Sequence, residues 1–295
     1  MAHPFQASAV HSPIYIKAGN YSSIDLKGNH QDDEQSEDFS EFENTATTVL
    51  ATEIRNFIST AKSKSNTSTT SKEAFLTTVE KAIAAIKSGD LYKVVPAKTK
   101  CIDLPENFDL ASVFLTLCEA YPNAFINCFY SENTGFYIGA SPETLIRTKG
   151  DEFFTMALAG TQIAKGENPL KNAAWTQKEI EEQALVSRYI PQLGSVMLDL
   201  LHPTSAICGM PKDQALEFLQ SEESFDRAYF SGFIGPVNMD EETTLYVNLR
   251  CAMLANKKIW LYAGAGITED SVPEKEWEET EMKCNIIGQF LQTKK

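Results

Sequence analysis

Residues 123–158 constrain the fold more than any other stretch, because four short β-rich runs (123–130, 135–138, 143–148 and 153–158) follow one another with no helix between them. Asn133-Thr134-Gly135 and Lys149-Gly150-Asp151 supply turn signals. Strands this close in sequence pair as antiparallel neighbours, since a parallel pair needs a crossover of about a dozen residues or more. A meander is expected. Further on, 228–237, 243–254 and 258–263 read as strands, the last two forming a hairpin across Ala255-Asn256-Lys257.

Helical periodicity occupies separate blocks. Residues 73–87 carry Phe75, Val79, Ala82 and Ile86 at helical spacing, and Gly89-Asp90 ends the pattern before a strand over 91–102. Residues 109–121, 175–189 and 211–221 also read as helices, and a final one runs from Pro273 to about Leu291 with Ser271 as a candidate cap. Strands in consecutive hairpins and helices in blocks predict an α+β fold of antiparallel β-sheets flanked by helices, not a doubly wound one. The acidic run 27–43 and the Ser/Thr/Lys/Asn-rich 62–72 read as loops. Residues 73–295 are expected to form the catalytic core, with 1–72 an N-terminal segment of the same domain.

Forty acidic residues against 26 basic ones give a formal charge of -14. That balance repels phosphate backbones and anionic lipid, so neither a nucleic acid nor a membrane is the expected partner and a small molecule is. No apolar run is long enough to span a bilayer and no basic-then-apolar leader opens the chain, so a cytoplasmic protein is expected. The six cysteines lack C-x-x-C spacing and read as reduced, buried small hydrophobes.

Several residue patterns carry chemistry. Glu276, Glu279 and Lys283 lie at i, i+3 and i+7 and so share one helix face; Glu179 and Glu182 repeat the i, i+3 spacing on another helix. Two such pairs could hold a hard dication, although either alone also fits a solvated face. Gly139-Ala140-Ser141-Pro142 delivers Glu143 just after a stiff proline, where a carboxyl can act as a general acid or simply open the next strand. Lys93 sits among apolar strand residues in Tyr92-Lys93-Val94-Val95-Pro96, as a base or as a snorkelling surface residue. Gly160-Thr161 offers a turn with a hydroxyl, Arg250 lies in an apolar strand where it could meet a carboxylate, and Gly264-Ala265-Gly266 allows close backbone approach to a ligand.

In that order, from Leu91 to the C-terminus, these segments resemble the chorismate-binding enzymes: isochorismate and salicylate synthases and the large subunits of anthranilate and aminodeoxychorismate synthases. The resemblance implies an α+β fold holding chorismate and Mg2+ in a cleft. It implies Lys93 as the base that activates water and Glu143 as the acid that protonates the departing C4 hydroxyl. Glu182 and Glu279 resemble the main metal ligands, supported by Glu179 and Glu276, while Arg250, Lys283, Thr161 with Gly160, and the Gly264 backbone resemble the groups that hold the substrate.

Three positions narrow the branch. Lys93 stands where ammonia-using anthranilate synthases have glutamine, and Ala159 where aminodeoxychorismate synthases have a nucleophilic lysine. Ala206 and Phe230, counted among the substrate-binding residues, resemble isochorismate synthases where salicylate synthases have Thr and Tyr. The implied activity is interconversion of chorismate and isochorismate, feeding menaquinone or siderophore synthesis, with no obligate glutamine amidotransferase subunit. The chain departs from the family at Gln183, where histidine is usual, and between Val186 and Leu200, where similar enzymes have a few tens more residues.

Overall fold

Antiparallel pairing organises the chain. A computed structural model describes residues 1–8, 11–16, 53–54, 56–65, 67–150, 152–156 and 201–292. The acidic run 27–43, the expected helix 175–189 and the junction 186–200 lie outside the described residues. So do Ala159, Gly160, Thr161, Glu179, Glu182 and Gln183.

In chain order the elements are β1 (Ala2–His3), α1 (Lys72–Lys87), β2 (Lys93–Val94), β3 (Ala97–Asp103), α2 (Leu110–Ala120), β4 (Phe125–Ser131), β5 (Gly135–Ser141), β6 (Thr144–Lys149) and β7 (Glu152–Phe154). After the undescribed stretch come β8 (Gly209–Met210), α3 (Lys212–Glu222), β9 (Phe233–Ile234), β10 (Glu242–Val247), β11 (Cys251–Ala255), β12 (Lys258–Gly264) and α4 (Pro273–Leu291). Among the described residues one sheet runs β1-β9-β10-β6-β7, a second runs β3-β12-β11-β5-β4, and β2 pairs with β8 alone. Every strand pairing among the described residues is antiparallel, so the architecture is α+β as expected.

Local chemistry explains the helices. Ser71 caps α1, its hydroxyl accepting from the Ala74 amide at 3.1 Å, and the buried stripe Phe75, Val79, Ala82 follows the 3.6-residue period. Asp109 caps α2 through the amides of Ala111 and Ser112. Pro273 opens α4, where a missing N–H costs nothing. Ser271 is not its cap: the Ser271 hydroxyl accepts from the Thr268 amide, and Val272 occupies the cap position with no side-chain bond. Cys284, Ile287 and Leu291 of α4 pack on Ile259, Leu261 and Ala263 of β12, and Trp277 meets Phe75 of α1 at a ring separation of 5.8 Å.

The strands correct the sequence reading in four places. The expected meander over 123–158 is two hairpins in different sheets: β4–β5 belongs to the second sheet and β6–β7 to the first, and the chain crosses at Pro142-Glu143. Proline lacks the ladder donor, so the strand ends there. The expected strand 243–254 also changes sheet, at Asn248-Leu249-Arg250, where Arg250 takes a left-handed φ of 48°. Pro96 divides the expected strand 91–102 into β2 and β3. Only Phe233–Ile234 of 228–237 is a strand, because Ala228 and Ser231 have φ of 47° and 59°. The β11–β12 hairpin does form, with Asn256 and Lys257 both at positive φ as its tight turn requires.

Residues Ala2 and His3 pair with Ile234 and Phe233, which makes the first residues part of the first sheet. Cys208, Cys251 and Cys284 are buried, whereas Cys101 and Cys118 are half-buried and Cys128 is exposed, so burial of all six does not hold; none is in a disulfide. Among the described residues no helix is long and apolar enough to cross a membrane.

Candidate active site

Lys93 is held from both flanks. Its strand pairs with Gly209–Met210 on one side, while on the other the Val94 amide donates to Ile267 O and the Ile267 amide donates to Val94 O at 2.8 Å. A Cβ on Gly209 would lie 2.3 Å from the Lys93 carbonyl oxygen, and Gly209 has φ 139°, so only glycine lets the two backbones meet. Lys93 is 0% exposed. A snorkelling surface lysine is thereby ruled out.

Glu143 occupies the first sheet crossing and Arg250 ends the second. The Val247 amide donates to Glu143 O at 2.9 Å, and the Ala140 amide donates to Arg250 O at 3.0 Å, so the two crossings lie side by side. Burial pushes the Glu143 carboxyl up to about 8, and the Lys93 and Arg250 cations pull it the other way without prevailing. Burial in turn pulls the Arg250 guanidinium below its ordinary value, opposed by Glu279, Cys284 and Glu143. Glu143 is thus within reach of the charges of both Lys93 and Arg250, and Arg250 within reach of that of Glu279.

Helix α4 completes that site. Lys283 Nζ lies 2.5 Å from Glu279 Oε1 and donates to Gly264 O at 2.8 Å, which ties the helix to the end of β12. A Cβ on Gly264 would sit 3.3 Å from Pro96 O, a tight fit beside the Lys93 segment. Glu276, 2% exposed, is in the first turn of α4, where the helix dipole favours a carboxylate. Ala206 lies half-buried in the turn before β8. Phe230 is 2% exposed, its ring stacked on Tyr262 at 5.3 Å.

The structure thus brings together Lys93, Glu143, Gly264, Arg250, Glu279 and Lys283 from five separate stretches of sequence. Carboxylate oxygens are the donors a hard dication takes, and Glu276 and Glu279, the two expected ligands among the described residues, stand one turn apart on α4. Among the described residues no group of three or more His, Cys, Asp or Glu is placed to hold a metal, and Glu179 and Glu182 fall outside them. A neutral buried carboxyl beside a lysine, with cationic groups around them, can exchange protons with a bound anion. The sequence reading missed Gly209, signalled only by an isolated glycine before Met210-Pro211. It also missed Asn248, whose buried amide donates to Tyr229 O at 2.8 Å and fixes the second crossing.

Known proteins share sequence and fold with this chain over much of its length. The isochorismate synthase MenF of Haemophilus influenzae is 29% identical over 260 residues, 73% of this chain and 60% of that protein. Anthranilate synthase component 1 of Neisseria gonorrhoeae is 25% identical over 268 residues, 75% of this chain and 54% of its own length. The chain therefore spans between half and two thirds of the length of these relatives. The solved structure of the menaquinone-specific isochorismate synthase MenF from Escherichia coli superposes with a TM-score of 0.64 at 24% identity, over 77% of this chain and 63% of that one, and shares the fold. The family described as chorismate binding enzyme matches residues 3–193 and 193–292, two segments that meet inside the span 186–200. Matched over nearly its whole length, the chain belongs to the chorismate binding enzyme family.

Proposed function

We propose that this protein is an isochorismate synthase, interconverting chorismate and isochorismate by attack of water at C2 and loss of the C4 hydroxyl. The observation that carries the proposal is Glu143: with its carboxyl at about 8 it is protonated at neutral pH, as a donor to a leaving hydroxyl must be. Lys93, buried near Glu143, would take the proton of the attacking water as the free amine, the form in which a lysine can act as a base. The second relevant feature is charge. Chorismate is a dianion, and Arg250 and Lys283 supply local positive charge in a chain that is acidic overall, with the Gly264 backbone and Gly160-Thr161 completing the substrate's contacts.

Magnesium, held by Glu276 and Glu279 together with Glu179 and Glu182, would clamp the ring carboxylate and neutralise part of its charge. Its chemistry is Lewis-acid binding, and proton transfer remains with Lys93 and Glu143. Ala206 and Phe230 favour a product that keeps its pyruvyl group, and no amidotransferase partner is needed when water is the nucleophile. The description of the Haemophilus relative as an isochorismate synthase supports this branch, and lysine at position 93 argues against the ammonia-using one.

The test is incubation of the purified protein with chorismate and magnesium, followed by chromatography. Isochorismate in equilibrium with chorismate is expected. Early salicylate with stoichiometric pyruvate would assign a salicylate synthase, and anthranilate on addition of ammonium would assign the other branch.

A further inference from the structure

Beside β2 lies a buried ion pair that none of the roles above uses. Glu223, just past the end of α3, and Arg227, four residues on, are joined twice, Arg227 Nη2 to Glu223 Oε1 at 2.5 Å and Nε to Oε2 at 2.8 Å, with side chains only 6% and 4% exposed. Removing two charges from water is costly, and a buried pair of this kind is a poor way to add stability. What the pair touches gives it another purpose.

Arg227 Nη2 also donates to Val95 O at 2.6 Å, and Nη1 donates to Ile207 O at 2.9 Å. Glu223 Oε1 accepts from the Ala97 amide at 2.8 Å. These three backbone groups lie where ladder partners run out: β2 and β8 pair only across Lys93–Val94 and Gly209–Met210, and Pro96 interrupts the strand. Buried backbone groups need partners, and here side chains supply them. Val95 is two residues from Lys93, Ile207 adjoins Ala206, and the Phe230 amide donates to Arg227 O at 2.8 Å. One guanidinium and one carboxylate thus fasten the strand of the lysine and the turn of Ala206 to the loop that carries both Arg227 and Phe230.

We propose that Glu223 and Arg227 are positioning residues: their buried pair sets the register of the Lys93 strand against the Ala206 turn and the Phe230 loop. This rests on the isochorismate synthase reading and deepens it. The planar fork of arginine satisfies two carbonyls and both carboxylate oxygens together, and lysine, a single point of charge, does not reproduce that pattern. Arg250 and Lys283 lie on other elements, so loss of the pair displaces the base without releasing the substrate's carboxylates.

The experiment compares Arg227→Lys, Glu223→Gln and Arg227→Ala with wild type for kcat, KM and products, alongside thermal melting. Misplacing a reacting group by about 1 Å costs on the order of a hundredfold. The expected result is therefore a kcat reduced at least about tenfold in Arg227→Lys and Glu223→Gln, with KM for chorismate changed less than about threefold. A second readout separates positioning from general weakening. Glu223 and Arg227 line an open cleft of about 530 Å³ whose wall includes Phe5, over which the guanidinium sits at 4.5 Å. Guanidinium ion at low millimolar concentration, but not ammonium or sodium, should then enter Arg227→Ala and restore part of kcat.

Variants that melt lower yet keep kcat within about threefold, or an Arg227→Ala chain that folds and is not rescued, would overturn the proposal. If Arg227→Ala does not fold, the kcat and KM of the other two variants decide. A wild-type protein that makes no isochorismate would remove the assigned reaction first, and this inference with it, an outcome distinct from an active wild type with indifferent variants.

Discussion

Glu143→Gln tests the buried carboxyl from two sides, since the burial that would make it a proton donor also makes it a burden on the fold. Its pKa stands at about 8 against an ordinary 4.5. Between those values the folded chain keeps a proton that the unfolded chain releases, so the stability this group contributes is fully present below pH 4.5 and is lost as pH rises through 8. At about 1.4 kcal/mol per pH unit, the loss is roughly 5 kcal/mol over the whole window and about 3 kcal/mol by pH 7. Glutamine is close in shape and neutral at every pH, so it lacks this slope. Urea denaturation of both proteins at pH 5 and pH 8.5 should show the variant gaining about 4 kcal/mol on wild type between the two conditions. Other titrating groups are common to both chains and cancel in the difference. Turnover of the variant should fall at least about a hundredfold in both directions, since a group that gives a proton forward must take one in reverse. A stability difference that does not change with pH would refute the raised pKa, and near-normal turnover would remove Glu143 as the acid.

Lys93→Ala should likewise lower turnover at least about a hundredfold in both directions while chorismate binding, followed by calorimetry, persists through Arg250 and Lys283; normal turnover would send the search for the base elsewhere. Chelation should abolish activity and magnesium restore it, and Glu279→Gln should raise the magnesium concentration needed for half activity about tenfold or more, whereas Asp33→Asn in the acidic run should leave it unchanged. His202, wedged against Pro4 O and Phe5 O at 3.1 Å, has its pKa pulled down to about 4 chiefly by burial. The stability it contributes is present above its ordinary 6.5 and is lost as pH falls through 4, roughly 3 kcal/mol in all, so His202→Gln should unfold less steeply in acid; an acid transition of unchanged steepness would refute this.

Among the described residues local signals carried the helices and missed the crossings. Pro273 and Leu291 bound α4 where the sequence placed them, and Phe75, Val79 and Ala82 form the buried stripe of α1, because caps and a 3.6-residue period are written into consecutive residues. The strand 243–254 reads as one apolar run because nothing local marks its break. That break depends on Asn248 bonding to Tyr229 O, 19 residues away in sequence, and on the left-handed backbone of Arg250. Burial of Lys93 was equally illegible, since a lysine among valines is a snorkelling residue unless residues distant in sequence pack over it, and the segments that flank its strand, Gly209–Met210 and Ile267, come from more than a hundred residues away.

Topology then explains why an acid and an arginine more than a hundred residues apart share a site. In the second sheet β5 pairs with β11, Gly139 opposite Cys251; in the first, β6 pairs with β10, Thr144 opposite Tyr246. One partner of each pair leads directly into the other sheet, β5 into β6 and β10 into β11, so the two connecting segments must run past each other between the same two sheets. A residue in one connection is thereby opposed to a residue in the other. Both lie where ladder bonds stop and side chains of neighbouring strands no longer alternate between core and solvent, so a charged group there is buried by the sheets on either side rather than by its own strand. Glu143 and Arg250 occupy those two positions, which places a carboxyl in surroundings poor enough in water to raise its pKa to about 8, within reach of the charge of the guanidinium proposed to hold the substrate.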